Sequence, residues 1–140
     1  MAGMTIAGLA REGGVGVETI RYYQCRRLLE VPERPAGPSS RGSIRQYGDA
    51  DVERLRFVRS AKAAGFSLDE VANLLQLNSK QDRAAVRALA RHRIAQLDMQ
   101  LADIGAARSW LAKLEKDCAA EVAGPCPILS AFENATPRPR

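Results

Sequence analysis

The chain has 140 residues, of which 46% are hydrophobic and only 5% aromatic, and a formal net charge of +5. That length buries one modest core, or a small head plus one long helix. The basic balance points to a polyanion such as nucleic acid, although a merely soluble basic protein carries the same charge. With no long uncharged apolar run, no signal-peptide pattern and three cysteines, the chain is expected to be cytoplasmic and reduced, with no membrane association.

The charge is uneven: residues 1–66 hold 11 Lys and Arg against 7 Asp and Glu, while residues 67–140 hold 10 against 9. Within the basic half, Thr5 is an N-cap for a helix through Glu12, with Ile6, Leu9 and Ala10 on its apolar face and Gly13-Gly14 as its stop. A second helix is predicted from about Val17 to Leu28, where Val17, Ile20 and Tyr23 recur at helical spacing. Two short helices joined by a glycine turn have the shape of a helix-turn-helix. Thr19, Arg21 and Tyr22 point away from the apolar stripe and are candidates for a major groove, where arginine reads guanine edges. Ordinary packing is the alternative for Tyr22.

The stretch from Pro32 to Gly42 holds three prolines, two glycines and two serines and reads as a basic loop. Ile44-Arg45-Gln46-Tyr47 then reads as a short strand, making a hairpin-like wing on which Arg45 and Tyr47 suit phosphate or minor-groove contacts. A third helix begins at Asp49 or Asp51 and ends at Gly65, buries Val52, Leu55, Phe57, Val58 and Ala61, and carries Arg59 and Lys62 as further DNA candidates or as a solvated face. Ser67 and Glu70 form a capping-box pattern that opens a fourth helix through about Leu77.

From Asp82 to Lys116 there is no proline, and Ala90, Ile94, Leu97, Leu101, Ile104 and Leu111 form an a/d seam on one long helix. The short helices before it are too small to cover that stripe, so pairing with the same helix of a second copy, a homodimer, is expected. An internal hairpin is the alternative, but no helix of matching length is predicted. His92, Met99 and Trp110 read as surface, interface or packing residues.

Cys118 and Cys126 close a small loop after that helix. Thiolates are the soft ligands that proteins use for Cu(I), zinc and their heavier relatives; two buried inert thiols are the plain alternative. Pro127 suits the first turn of a short final helix, whose amides would favour a thiolate at Cys126. Cys25 lies among arginines, either inert or a redox sensor. No acid–base pair, nucleophile triad or phosphate loop supports an enzyme.

Val17-Glu18-Thr19-Ile20-Arg21-Tyr22-Tyr23-Gln24, Gly42-Ser43-Ile44-Arg45-Gln46-Tyr47, Leu55-Arg56-Phe57-Val58 and Gly65-Phe66-Ser67-Leu68-Asp69-Glu70, in that order and spacing, closely resemble the MerR family of transcriptional activators. The resemblance runs from about Thr5 to Phe132. The first half is most similar to the family's mercury-responsive members, and the cysteine spacing to its copper and gold sensors. It implies an all-α fold with a small β wing. A winged helix-turn-helix head (1–78) would precede a dimerisation helix forming an antiparallel coiled coil (79–117), a C-terminal metal-binding loop with a short helix (118–132) and a disordered tail (133–140).

The resemblance further implies a homodimer on double-stranded promoter DNA, working with RNA polymerase to control a heavy-metal resistance operon by distorting the promoter. Cys118 and Cys126 would be the metal ligands. Where mercury sensors place a third cysteine, supplied by the partner subunit, this chain has Arg83. Two thiolates suit linear binding of Hg(II) or of the Cu(I), Ag(I) and Au(I) group, whereas zinc, cadmium and lead usually want more ligands. A regulator of the same fold answering to an oxidant or an organic ligand is the alternative. The chain also departs from the family in a longer wing loop, in Arg27 where a glycine usually closes the recognition helix, and in Gly16 where a side-chain cap is expected.

Overall fold

The computed structural model describes residues 3–34 and 44–134. Among them six helices follow in order: α1 (Ile6–Gly13), α2 (Val17–Cys25), α3 (Asp49–Ala63), α4 (Leu68–Lys80), α5 (Arg83–Ala120) and α6 (Pro127–Asn134). The chain divides into two compact units, Met1–Ala88 and Leu89–Arg140.

The helices of the first unit start where side chains satisfy free amides. Thr5 Oγ1 accepts from the Gly8 amide at 3.1 Å. Ser67 and Glu70 complete the capping box in both directions, at 3.1 and 3.0 Å. Gly16 offers α2 no such bond, and Gly48 before α3 instead donates its own amide to Asp51 at 2.8 Å.

Helices α1 to α4 all end in one way. A residue in the left-handed region bonds back to the carbonyl three residues earlier, and the next amide bonds back five residues. Glycine holds that corner after α1 (Gly14, φ 66°) and α3 (Gly65, φ 91°), but Arg27 (φ 61°) and Gln81 (φ 52°) hold it after α2 and α4. The turn into Arg27 stops α2 at Cys25, short of the predicted Leu28.

Helix α1 packs on α2 and α3, and α3 on α4. Their core joins Leu9, Ala10, Ile20, Leu29, Tyr47, Val52 and Leu55, with Val15, Val17 and Tyr23 packed against it. Val58, Phe66, Val71, Leu74 and Leu75 are also buried. Each aliphatic side chain taken fully from water contributes about 1.5–3 kcal/mol. Gly13 lies so near Leu55 that a Cβ there would overlap the leucine side chain, which lets α1 close on α3.

The predicted strand at Ile44–Tyr47 does not form. Among the described residues there is no sheet, only an isolated antiparallel bridge in which Met4 and Tyr47 exchange two 2.8 Å backbone bonds. The N-terminal segment thus supplies the pairing that the wing reading assigned to a hairpin, and α3 begins at Asp49 before a strand can extend. Most of the wing loop, Arg41 and Ser43 included, and the tail from residue 135 lie outside the described residues.

Helix α5 is 38 residues long, about 57 Å at ~1.5 Å per residue. Asp82 caps it, accepting from the Ala85 amide at 3.1 Å. In the second unit Leu114 is its one buried residue. The predicted seam lies open, with Ile94, Leu101 and Ile104 exposed to 56%, 67% and 65%. No helix among the described residues is long and apolar enough to cross a membrane.

Candidate nucleic-acid interface and metal centre

Helix α2 presents Arg21 and Tyr22 to solvent, with Thr19 half-buried beside them. Thr19 and Tyr22 share an open groove with Glu18, Tyr23, Lys62 and Leu68, so α3 does bring Lys62 alongside α2. Beyond Tyr22, Arg26 reaches Asp69 at the start of α4 in a 2.9 Å ion pair. Both of its groups are largely exposed, so the pair adds little stability, but it ties the end of α2 to α4.

On the other side of α2 a cleft of about 290 Å³ is lined by Ile6, Arg21, Gln24, Val31, Arg34, Ile44, Arg45 and Tyr47. Three guanidinium-bearing residues and no carboxylate line it, which suits a phosphate. Arg45 is held in place by its Nε, which donates to the Pro32 carbonyl at 3.0 Å. Arg34 is marked in the sequence only by its place in a basic loop, where no periodicity gives it a direction.

Two of the sequence candidates have other partners. Tyr47 is 3% exposed and sits in the core, and its hydroxyl accepts from Gln24 Nε2 at 3.0 Å. Tyr47, expected on the wing, is thus packed against α2 while also lining the cleft. Arg59 donates through Nη1 to the Gly13 carbonyl at the end of α1. Arg54 likewise donates to the Leu28 carbonyl at 3.0 Å. Arginines of α3 thus satisfy backbone carbonyls just past or at the ends of the two helices before it.

In the second unit the Cys118 and Cys126 sulfurs are 3.6 Å apart, both half-buried. They are chemically unequal. Amides at the start of α6 act on Cys126, whose thiol is pulled below its ordinary range by the Leu129 N–H, then by the Cys118 thiol, then by the Ile128 N–H. Cys118 is pushed up, first as hydrogen-bond partner of Cys126, then by burial and by the negative charges of Cys126, Glu115 and Glu121. Cys126 is the more acidic thiol of the pair and Cys118 the less acidic.

Two sulfurs 3.6 Å apart form a donor set that fits a soft ion. Among the described residues no group of three or more His, Cys, Asp or Glu side chains is placed to hold a metal. Cys25 is exposed on α2, within the first unit, while the thiol pair belongs to the second. Arg83 stands exposed at the first position of α5.

Helices α1 and α2, joined by a glycine turn, have the form of a helix-turn-helix, and the arginine-lined cleft lies beside the second of them. Residues 4–78 match the family model described as MerR HTH family regulatory protein, and residues 52–114 the one described as MerR, DNA binding. The chain belongs to the MerR family of transcription regulators, a family of DNA-binding proteins rather than enzymes.

It is 39% identical over 132 residues to the mercuric resistance operon regulatory protein of Shigella flexneri, covering 94% of this chain and 88% of that one. It is 35% identical over 128 residues to the HTH-type transcriptional regulator HmrR of Sinorhizobium medicae, covering 90% and 84%. Its fold is similar to that of the transcription regulator PbrR691 from Ralstonia metallidurans, solved in complex with lead(II). There the TM-score is 0.72 at 30% identity, over 92% of this chain and 98% of that one.

Proposed function

We propose that the protein is a metal-responsive transcription regulator of a heavy-metal resistance operon, sensing a soft thiophilic ion, Hg(II) or one of the Cu(I), Ag(I) and Au(I) group, through Cys118 and Cys126. The observation that carries this reading is the 3.6 Å thiol pair at the end of a long helix with an open apolar seam. The mercuric resistance relative and the lead-bound structural neighbour support a metal signal.

The seam from Ala90 to Leu111 pairs with its copy in a homodimer, because a stripe this apolar is costly to leave in water. The two heads then engage a palindromic promoter site. Thr19, Arg21 and Tyr22 enter the groove, Arg45, Arg34 and Lys62 take phosphates, and Tyr47 and Arg59 hold these elements in place.

The ion brings charge and soft coordination to the thiol pair. Two thiolates leave −1 with a monovalent ion and zero with a divalent one, and Arg83 from the other protomer offsets the remainder. Switching requires only that the ion favour the activating conformation; moving a 1:99 population to 99:1 takes about 5.5 kcal/mol of differential binding. The promoter is then reshaped so that RNA polymerase can start.

The test is a promoter–reporter strain carrying Cys118→Ser or Cys126→Ser. Loss of induction by Hg(II) and Cu(I), with operator binding retained, is expected. Full induction in either variant overturns the assignment, and induction by peroxide in metal-free medium would transfer it to an oxidant.

A further inference from the structure

We propose that Trp110 and Phe132 form a clasp that seats α6 and so holds Cys126 against Cys118. Both are positioning residues of the thiol site, acting through Cys126 without touching the ion. The inference rests on the reading of Cys118 and Cys126 as metal ligands.

The placement follows from helix geometry. Trp110, Leu114 and Cys118 succeed one another at intervals of four along α5 and therefore share one face. Leu114, in the middle, is the residue of α5 that is buried. At one end of that face the sulfurs meet at 3.6 Å. At the other, the rings of Trp110 and Phe132 lie 5.5 Å apart at 49°, a tilted arrangement in which ring edge and ring face attract. The chain thus runs back along α5, joined at the thiols and at the rings.

The clasp adds to the packing of α6, in which Pro127, Ile128 and Ala131 are half-buried. The helix has eight residues, too few to persist as a helix without packing. Two of its hydrogen bonds are local: the Ser130 amide donates to the Cys126 carbonyl at 3.0 Å, and Asn134 Nδ2 donates to the Ser130 carbonyl at 2.8 Å. The loop before it gives no anchor either, since Val122 is fully exposed and Gly124, in the left-handed region, has no neighbouring atom where a Cβ would be. If α6 frays, the amides of Ile128 and Leu129 leave Cys126 and the two sulfurs part.

The full-length protein carrying Phe132→Ala, Phe132→Tyr or Trp110→Leu tests this against wild type and Cys118→Ser, with dimer mass and metal-free operator affinity as controls. Hg(II) retention is measured against a competing small thiol. Independently of any metal, the rate at which a short dithiol-bridging reagent joins Cys118 to Cys126 is followed.

Expected are about five- to twenty-fold weaker Hg(II) retention and slower bridging in Phe132→Ala and Trp110→Leu, with near wild-type behaviour in Phe132→Tyr and unchanged controls. Wild-type retention and bridging in Phe132→Ala overturn the clasp alone. Equal retention by wild type and Cys118→Ser overturns the metal reading itself, whatever the bridging rates.

Discussion

Gln24 on α2 donates through Nε2 to the hydroxyl of Tyr47 at 3.0 Å, and the same nitrogen lies 3.1 Å from the Glu30 carbonyl. One amide thus ties the last turn of α2 both to the bridge segment and to the chain leaving the helix. Tyr47→Phe removes one of these bonds and leaves the other. The expected cost is about 1 kcal/mol of stability, read by urea denaturation. The salt dependence of operator binding should stay as in wild type, whereas a phosphate-contacting tyrosine would change it.

Arg34 is expected to behave as a phosphate ligand. In Arg34→Gln, operator affinity should fall uniformly across binding-site sequences, and the slope of log affinity against log salt should shrink by about 1. Arg59→Gln should instead lower stability through the unsatisfied Gly13 carbonyl, with the slope unchanged. Fluorescence anisotropy across a salt series separates the two.

Two glycines should respond with opposite sign to a small side chain. Gly13→Ala gains about 1 kcal/mol of helix propensity but overlaps Leu55, and overpacking costs about 1–3 kcal/mol, so a net loss of stability is expected. Gly16→Ser enters open space at the N-cap of α2 and should gain a few tenths of a kcal/mol, about the difference between glycine and serine caps. Thermal melts of both variants beside wild type check the signs.

The inequality of the thiols predicts a pH order. A lowered Cys126 has more thiolate at neutral pH than an ordinary thiol, and a raised Cys118 has less. Iodoacetamide should therefore label Cys126 first in the reduced, metal-free protein. The Cys126 rate should level off as pH rises while the Cys118 rate is still climbing. Peptide mapping across the alkaline range reads both, and equal labelling at neutral pH would contradict the assignment.

Helices were legible in the sequence because their signals are local. Thr5, the Ser67–Glu70 pair and the Gly13-Gly14 stop each act within one turn, and the α5 seam is a plain periodicity. The thiol pair was legible for the same reason, as two cysteines bracketing a short loop. What escaped were partners distant along the chain. Ile44–Tyr47 reads as extended, but nothing local says that Met4 pairs with it. An aromatic residue next to a basic loop reads as exposed, yet Tyr47 is buried because the N-terminal segment and Gln24 close over it. Arg54 and Arg59 look like a solvated or DNA-facing charge pattern, since the carbonyls at Leu28 and Gly13 leave no mark in side-chain sequence.

The corner at Arg27 has a thermodynamic consequence. A side chain in the left-handed region costs about 1–2 kcal/mol, a visible fraction of the roughly 5–15 kcal/mol that holds a native protein together. That free energy is released when the head unfolds, and glycine would recover part of it. Glycine would also delete a cation from the end of α2. At Arg27 the substitution that relaxes the backbone also removes a charge, so glycine would make the head more durable and less basic in a single step.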